Sequence, residues 1–320
     1  MFGDTQHIKD KRKLIPPKPY GLISDYSTIR HGNKVCMHPG CKEPPIDSHV
    51  LSKSGIKKYA KNQIIQLQTL VYEPFENIKP KEKRKYFKPC DLDKISTFRG
   101  FCYKHDHKIF LELDNFNGIV TPRIVLLTHY RIICYGLDTI QLQLKQQEFL
   151  KNAALVGKST KKVNEIARRI KNGFFLRGLK MAETDYLERK KICEQLLNGA
   201  RPKINFIHLK GGIENPLFFG RAGIFLHQFG RERLPKRYMA QMPYITYASI
   251  SDGITCNLIF AYLDQDAGYC SNDLDIFINS PDFKKRLEIL IYSQSDCCIL
   301  RKEHTKVHET AIKNIADFYR

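Results

Sequence analysis

The pattern that most restricts this chain is Cys36-Met37-His38-Pro39-Gly40-Cys41, answered far downstream by Cys102-Tyr103-Lys104-His105. Two cysteines at short spacing and a later Cys-x2-His pair supply the four soft or borderline ligands that a tetrahedral zinc site takes. An ion held this way would staple two distant stretches into one unit. Pro39-Gly40 is a turn signal that brings the two thiols onto one side of a tight loop, as in a zinc knuckle. His38 and His107 compete with His105 for the fourth position. Between the two halves His49 sits among apolar and β-branched residues, where a strand would aim its imidazole at the closing segment.

The chain holds ten cysteines and 320 residues. Its polar, charged start has no apolar core followed by a small-residue cleavage site, so the expected compartment is the cytoplasm, where thiols stay reduced. A close Cys cluster there reads as a metal site rather than a disulfide framework. Cys134, Cys193, Cys297 and Cys298 fall at apolar positions and read as small core residues. No stretch approaches the ~20 apolar residues needed to cross a bilayer, so no membrane partner is expected. Lys and Arg total 53 against 33 Asp and Glu, a formal net charge of +20. Clustered cations gain free energy by releasing counterions from phosphates, which makes nucleic acid the first partner to consider. An acidic protein partner fits the charge as well.

Residues 1–33 are basic and Pro-containing, either an arm that orders on binding or a lead-in strand against the zinc unit. Short strands are expected at Thr28 to Val35 and at Ile46 to Leu51, with Pro44-Pro45 between them. Ser52 to Ala60 reads as a helix with a basic outer face, because Ile56, Tyr59 and Ala60 are its apolar positions. Asn62 to Tyr72 reads as a strand, and Glu76 to Asp93 as a charged, unpacked insertion. Cys102 to Leu113 begins as a knuckle and continues as a helix. Thr121-Pro122 is a helix start, and apolar spacing carries that helix to about residue 150. A second helix is expected after Ser159-Thr160, and a third over Tyr186 to Leu197, ended by Asn198-Gly199. Beyond Pro202 the pattern changes to strands at Ile204 to Leu209, Tyr244 to Ile250, Cys256 to Leu263, Asp275 to Ile278 and Leu287 to Tyr292. Val307 to Phe318 closes the chain as an amphipathic helix.

The expected fold class is therefore α+β. Residues 1–115 would form a zinc-stabilised unit with its basic arm, 116–200 a helical region, and 201–320 an α+β region open to a protein partner.

The first third of the chain resembles the HNH-like, or ββα-metal, endonucleases in their zinc-stapled form. Ile46-Asp47-Ser48-His49-Val50 resembles the family's Asp-His-Ile-Ile-Pro strand, and Cys102-Tyr103-Lys104-His105-Asp106 is similar to its second knuckle. The resemblance implies an N-terminal ββα-metal fold in which Cys36, Cys41, Cys102 and His105 hold structural zinc. It also makes His49 the general base and Asp106, with Asp47, the ligands of a catalytic magnesium or manganese ion. Chemistry agrees: phosphodiester hydrolysis needs a base near neutrality and a hard cation, which imidazole and carboxylate serve. Lys53, Lys57, Lys58, Arg99 and Lys104 would then contact the phosphate backbone, double-stranded DNA being the first substrate and defence or restriction the setting suggested by family analogy. The chain departs from the family at Ser48, where a metal ligand is usual, in lacking the proline, and in the long interval from His49 to Cys102. The alternative is a non-catalytic zinc-stabilised nucleic-acid- or protein-binding module in which His49 is structural.

Overall fold

Strands near the C-terminus are buried at almost every position, which gives a sheet with two covered faces. The computed structural model describes residues 34–61, 67–70, 86–155, 174–200, 203–222 and 244–318. The basic arm, the Lys79 to Lys85 run and nearly all of the helix expected after Ser159-Thr160 lie outside them.

Nine strands occur among the described residues: β1 (Asp47–His49), β2 (Leu67–Leu70), β3 (Phe87–Pro89), β4 (Thr97–Arg99), β5 (Ile204–Gly211), β6 (Leu217–Ala222), β7 (Ile245–Ser251), β8 (Cys256–Leu263) and β9 (Cys297–Arg301). Seven of them form one antiparallel sheet in the order β3-β2-β9-β6-β7-β8-β5, while β1 and β4 pair separately. Successive side chains on a strand point to opposite faces. Phe219, Ala248, Ile250, Ile259, Ala261, Cys297 and Ile299 therefore enter one core, and Phe218, Tyr247, Phe260, Tyr262, Cys298 and Leu300 the other. The same alternation separates Cys297 from Cys298, and both are packing residues, as expected.

Seven α-helices also occur among the described residues: α1 (Lys53–Tyr59), α2 (Tyr103–Asp114), α3 (Pro122–Leu155), α4 (Phe174–Leu197), α5 (Ala267–Ile278), α6 (Phe283–Ile289) and α7 (Thr305–Phe318). Helix α3 starts as expected, with the Thr121 hydroxyl accepting from Ile124 N–H at 3.2 Å. Its Ile124, Val125, Leu127 and Tyr130 lie in the core that also receives Phe101, Phe110 and Leu113 from the zinc unit. Helix α4 ends at Gly199, whose φ of +90° is the left-handed conformation that glycine adopts without a Cβ clash. The opposite face of the sheet is covered by α5 and α6 through Cys270, Leu274, Phe277 and Ile289.

Two expected strands are helical. Asp275 to Ile278 is the last turn of α5, because the buried side chains recur at 270, 274 and 277, a helical spacing that starts before the apolar run. Leu287 to Tyr292 closes α6 and continues as a π-helical turn over Leu290–Gln294, with the Ser295 hydroxyl donating to the Leu290 carbonyl. Four consecutive buried residues, Ile289 to Tyr292, fit a wide turn wedged under the sheet as well as a strand. Near the N-terminus, Val35 is exposed and outside any strand, and β1 is shorter than the Ile46 to Leu51 expectation.

The charged insertion is packed at its downstream end. Strand β3 pairs with β2, and β2 pairs with β9 through Leu67 opposite Arg301. Phe87 is buried in the outer core and Leu92 in the inner one. The long interval between His49 and Cys102 thus leaves the zinc unit, supplies two edge strands to the large sheet and returns at β4. Strands of that sheet accordingly come from both ends of the chain.

Candidate functional site

The loop of Cys36 to Cys41 is folded by its own backbone. Cys36 N–H donates to the Glu43 carbonyl at 2.8 Å, Cys41 N–H to that of His38 at 3.1 Å, and Gly40 turns the chain at a φ of +74°. Met37 N–H reaches the Gly100 carbonyl at 2.8 Å, which docks the loop beside the start of α2. Cys102 is the N-cap of α2 and His105 lies in its first turn. The four ligand atoms of Cys36, Cys41, Cys102 and His105 consequently lie within 4.8 Å of one another.

The spacing inside the cluster fits a tetrahedral ion. Zinc–sulfur bonds of about 2.3 Å and zinc–nitrogen bonds of about 2.0 Å imply sulfurs about 3.8 Å apart and sulfur–nitrogen separations of about 3.5 Å. Cys41 and Cys102 Sγ are 3.9 Å apart, and His105 Nδ1 is 3.5 Å from Cys36 Sγ and 3.2 Å from Cys102 Sγ. Burial pushes the Cys36 thiol up to about 11, and a bound ion would favour its thiolate. Cys102 is held below the ordinary thiol value: burial acts against this, but the backbone N–H groups of His105 and Lys104 at the helix start favour the thiolate. No disulfide engages any cysteine. The donor set is that of a zinc site.

The competing histidines have other places. His38 stacks flat on His105, with ring centroids 3.8 Å apart and planes 3° from parallel, and its Nδ1 lies 3.0 Å from the Pro39 carbonyl. It supports the ligand ring. His107 projects outward and stacks on Tyr103.

Antiparallel pairing of β1 with β4 sets Asp47 opposite Arg99, Ser48 opposite Phe98 and His49 opposite Thr97. The Ser48 side chain is buried and accepts from Phe101 N–H at 3.2 Å, which ties the strand to the start of α2. His49 is half-buried, with Nε2 2.9 Å from the Leu92 carbonyl. A carbonyl only accepts, so Nε2 carries the proton and Nδ1 is the basic nitrogen. Burial holds this imidazole below its ordinary value, and Lys53 and Arg131 add to the effect.

Asp106 lies one position beyond His105 of the Cys3His cluster, within electrostatic reach of His49. Burial raises its carboxyl above the usual range, against the pull of Arg131 and of the Ser48 hydroxyl. Its Oδ1 is buried with no hydrogen-bond partner, while Oδ2 lies 3.7 Å from the Arg131 guanidinium. Arg131 itself is fully buried, donates to Asp114 at 3.0 Å and lies 4.1 Å over the Phe110 ring. Sequence reasoning missed Arg131, since a cation among the apolar positions of a long helix gives no sign of what it faces.

Compared with family models, with curated proteins and with solved structures, the chain matches none.

The remaining expected site residues are distributed as follows. Asp47 is exposed, and its carboxylate lies 3.8 Å from the Arg99 guanidinium. Among the described residues no second group of three or more metal-ligating side chains is assembled. Lys53 pairs with Asp93, and Lys58 donates to the Phe116 carbonyl at 2.8 Å. Lys57 and Lys104 are exposed and form no ion pair among the described residues. No helix among them is long and apolar enough to cross a membrane.

Proposed function

We propose that the zinc-clamped strand pair and helix act as an HNH-like ββα-metal unit that hydrolyses phosphodiester bonds of nucleic acid, DNA ahead of RNA. One observation carries the reading. The helix anchored by the Cys3His cluster sets a buried, partnerless carboxylate oxygen of Asp106 within electrostatic reach of a strand histidine whose only basic nitrogen is Nδ1.

In this reading His49 Nδ1 takes the proton of the attacking water, and the Leu92 carbonyl fixes the ring by holding Nε2–H. Because burial depresses the imidazole, it is in its neutral, proton-accepting form at pH 7. Asp106 Oδ1 is the residue atom that fits a magnesium or manganese ion, which when bound would offset charge developing on the phosphate. Asp47 fits less well, because Arg99 already faces it. Lys57 and Lys104 remain exposed to meet phosphate oxygens, while Lys53, Lys58 and Arg99 already have partners within the fold.

A second reading has its own observation. Arg131 and Ser48 already favour the charged Asp106 carboxylate from within the protein, and a buried guanidinium disfavours a second cation nearby. In that case the unit is a zinc-stabilised nucleic-acid- or protein-binding module, and His49 braces the Leu92 loop.

The test is cleavage of single- and double-stranded DNA and RNA by the zinc-loaded full chain, with and without magnesium or manganese. The nuclease reading expects ion-dependent cleavage that His49→Ala abolishes while zinc content stays at one per chain. Absence of cleavage on every substrate with every ion, by protein that holds zinc, leaves the binding module.

A further inference from the structure

Helix α2 has two faces of different chemistry. Inward it buries Phe110 and Leu113 and carries Asp106; outward it presents Tyr103, Lys104, His107, Lys108 and Leu111. Tyr103 is 74% exposed, which is unusual for a large ring on a helix otherwise packed into the core. The Tyr103 and His107 rings, one helical turn apart, are 5° from parallel with centroids 6.3 Å apart. Lys104 and Lys108 flank them, again one turn apart, and form no ion pair among the described residues. The one acid on this face, Glu112, is held by Arg123 at 3.0 Å.

We propose that this outward face binds a single-stranded stretch of nucleic acid, an unpaired base stacking on Tyr103 while adjacent phosphates meet Lys104 and Lys108. The inference rests on the nucleic-acid reading above and narrows its substrate from a plain duplex to one with unpaired nucleotides. A flat ring offers its face to any base, whereas bases inside a duplex are already stacked on one another. Charge decides against a protein occupant of the same face. The apolar surface is one ring and Leu111, far below the several hundred Å2 per partner that a stable protein interface covers. Two free ammonium groups beside an aromatic ring, on a chain of net charge +20, match a polyanion that carries bases. The cluster also holds the backbone of the platform: Tyr103 follows one member, Cys102, and precedes another, His105, so little backbone freedom is lost when a base docks.

The experiment is fluorescence anisotropy with zinc-loaded, full-length His49→Ala protein, so that substrate is not consumed. The probes are single-stranded DNA and RNA of about 16 nucleotides and a blunt duplex of the same sequence. Expected is tighter binding of the single strands, weakened about five- to hundredfold by Tyr103→Ala and restored by Tyr103→Phe. Lys104→Ala and Lys108→Ala should each lower the slope of log affinity against log salt by about 0.7. Equal affinity of Tyr103→Ala and its parent for single strands, with zinc retained, overturns the proposal. If Tyr103→Ala loses zinc, the two lysine variants decide: unchanged salt slopes overturn it. Loss of cleavage in His49→Ala with no effect at Tyr103 leaves the nuclease reading standing and removes this one. A Tyr103 effect in a protein that cuts nothing does the reverse.

Discussion

Arg301 Nε donates to the backbone carbonyl of Tyr59 at 2.8 Å, joining strand β9 to the end of the helix that follows β1 across 242 positions of sequence. The guanidinium is buried, lies 5.4 Å from the centre of the Tyr59 ring, and also reaches Glu303 at 3.3 Å. Tyr59 in turn donates its hydroxyl to the Asn215 carbonyl at 3.1 Å. The unit that carries the Cys3His cluster and the large sheet are therefore coupled by a buried charge rather than by apolar contact alone. Arg301→Ala removes the donor and leaves a cavity, and should cost about 2–4 kcal/mol. Thermal unfolding followed by circular dichroism should show one lowered transition. A wild-type melting temperature would mean that the contact carries no net stability.

Zinc ligation predicts one ion per chain. Apparent binding energies of structural sites are about 10–16 kcal/mol near neutral pH, larger than the stability of most domains, so metal and fold should be lost together. Chelation, or Cys41→Ser, should lower the melting temperature and expose Cys102 and Cys36 to thiol reagents. His38→Ala should keep the zinc, because that ring only stacks on a ligand. Elemental analysis of the two variants distinguishes the assignments. Equal zinc loss in both would move the fourth ligand to His38.

Arg131 sits between two carboxylates, 3.0 Å from Asp114 and 3.7 Å from Asp106. Breaking such a buried pair from one side leaves unpaired charge and costs about 3–5 kcal/mol. Arg131→Met should show this loss in denaturant titration, whereas Asp106→Asn, which removes the repulsion between the two acids, should change stability little. Under the nuclease reading the same Asp106→Asn protein loses cleavage while keeping zinc. Full activity in that variant would dismiss Asp106 from the chemistry.

His129 gives the fold a pH dependence. Thr246 donates its hydroxyl to the Ala261 carbonyl at 3.3 Å, so at 2.7 Å it accepts the Nδ1–H of His129. Nε2 is then a bare, buried nitrogen with no partner. Complete burial lowers this histidine to about 3. The folded state thus refuses a proton that the unfolded state accepts below its ordinary value of about 6.5. Stability from this residue is complete above that pH and is lost as pH falls from 6.5 toward 3, approaching about 1.4 kcal/mol per pH unit. His129→Gln keeps a donor for Thr246 but cannot charge, so its stability should fall less steeply between pH 6.5 and 4. Parallel curves for variant and wild type would show that other groups set the acid limb.

Much of the architecture was legible in the chain because its signals are local. Thr121-Pro122 is a local start signal for a helix, Asn198-Gly199 ends one, and the apolar run Leu258 to Leu263 of β8 cannot stay in water. The spacing of Cys36, Cys41, Cys102 and His105 announced a metal cluster, since few other arrangements use those donors in that order. The turns around Asp275 and Leu287 were misread because an apolar run of four to six residues has too few repeats to separate a period of 2 from one of 3.6.

The amino-acid order alone determined the three thiol donors, the ends of several helices, the two-faced strands and the cationic character, each fixed by neighbours within a few positions. Only tertiary packing decided that His38 stacks while His105 joins the three thiols, that β2 and β3 leave the N-terminal unit for the edge of the large sheet, and that Arg131 stands beside Asp106. Those outcomes depend on which distant surfaces meet. Burial and the pairing of buried charge are properties of that meeting, and no short window of sequence contains them.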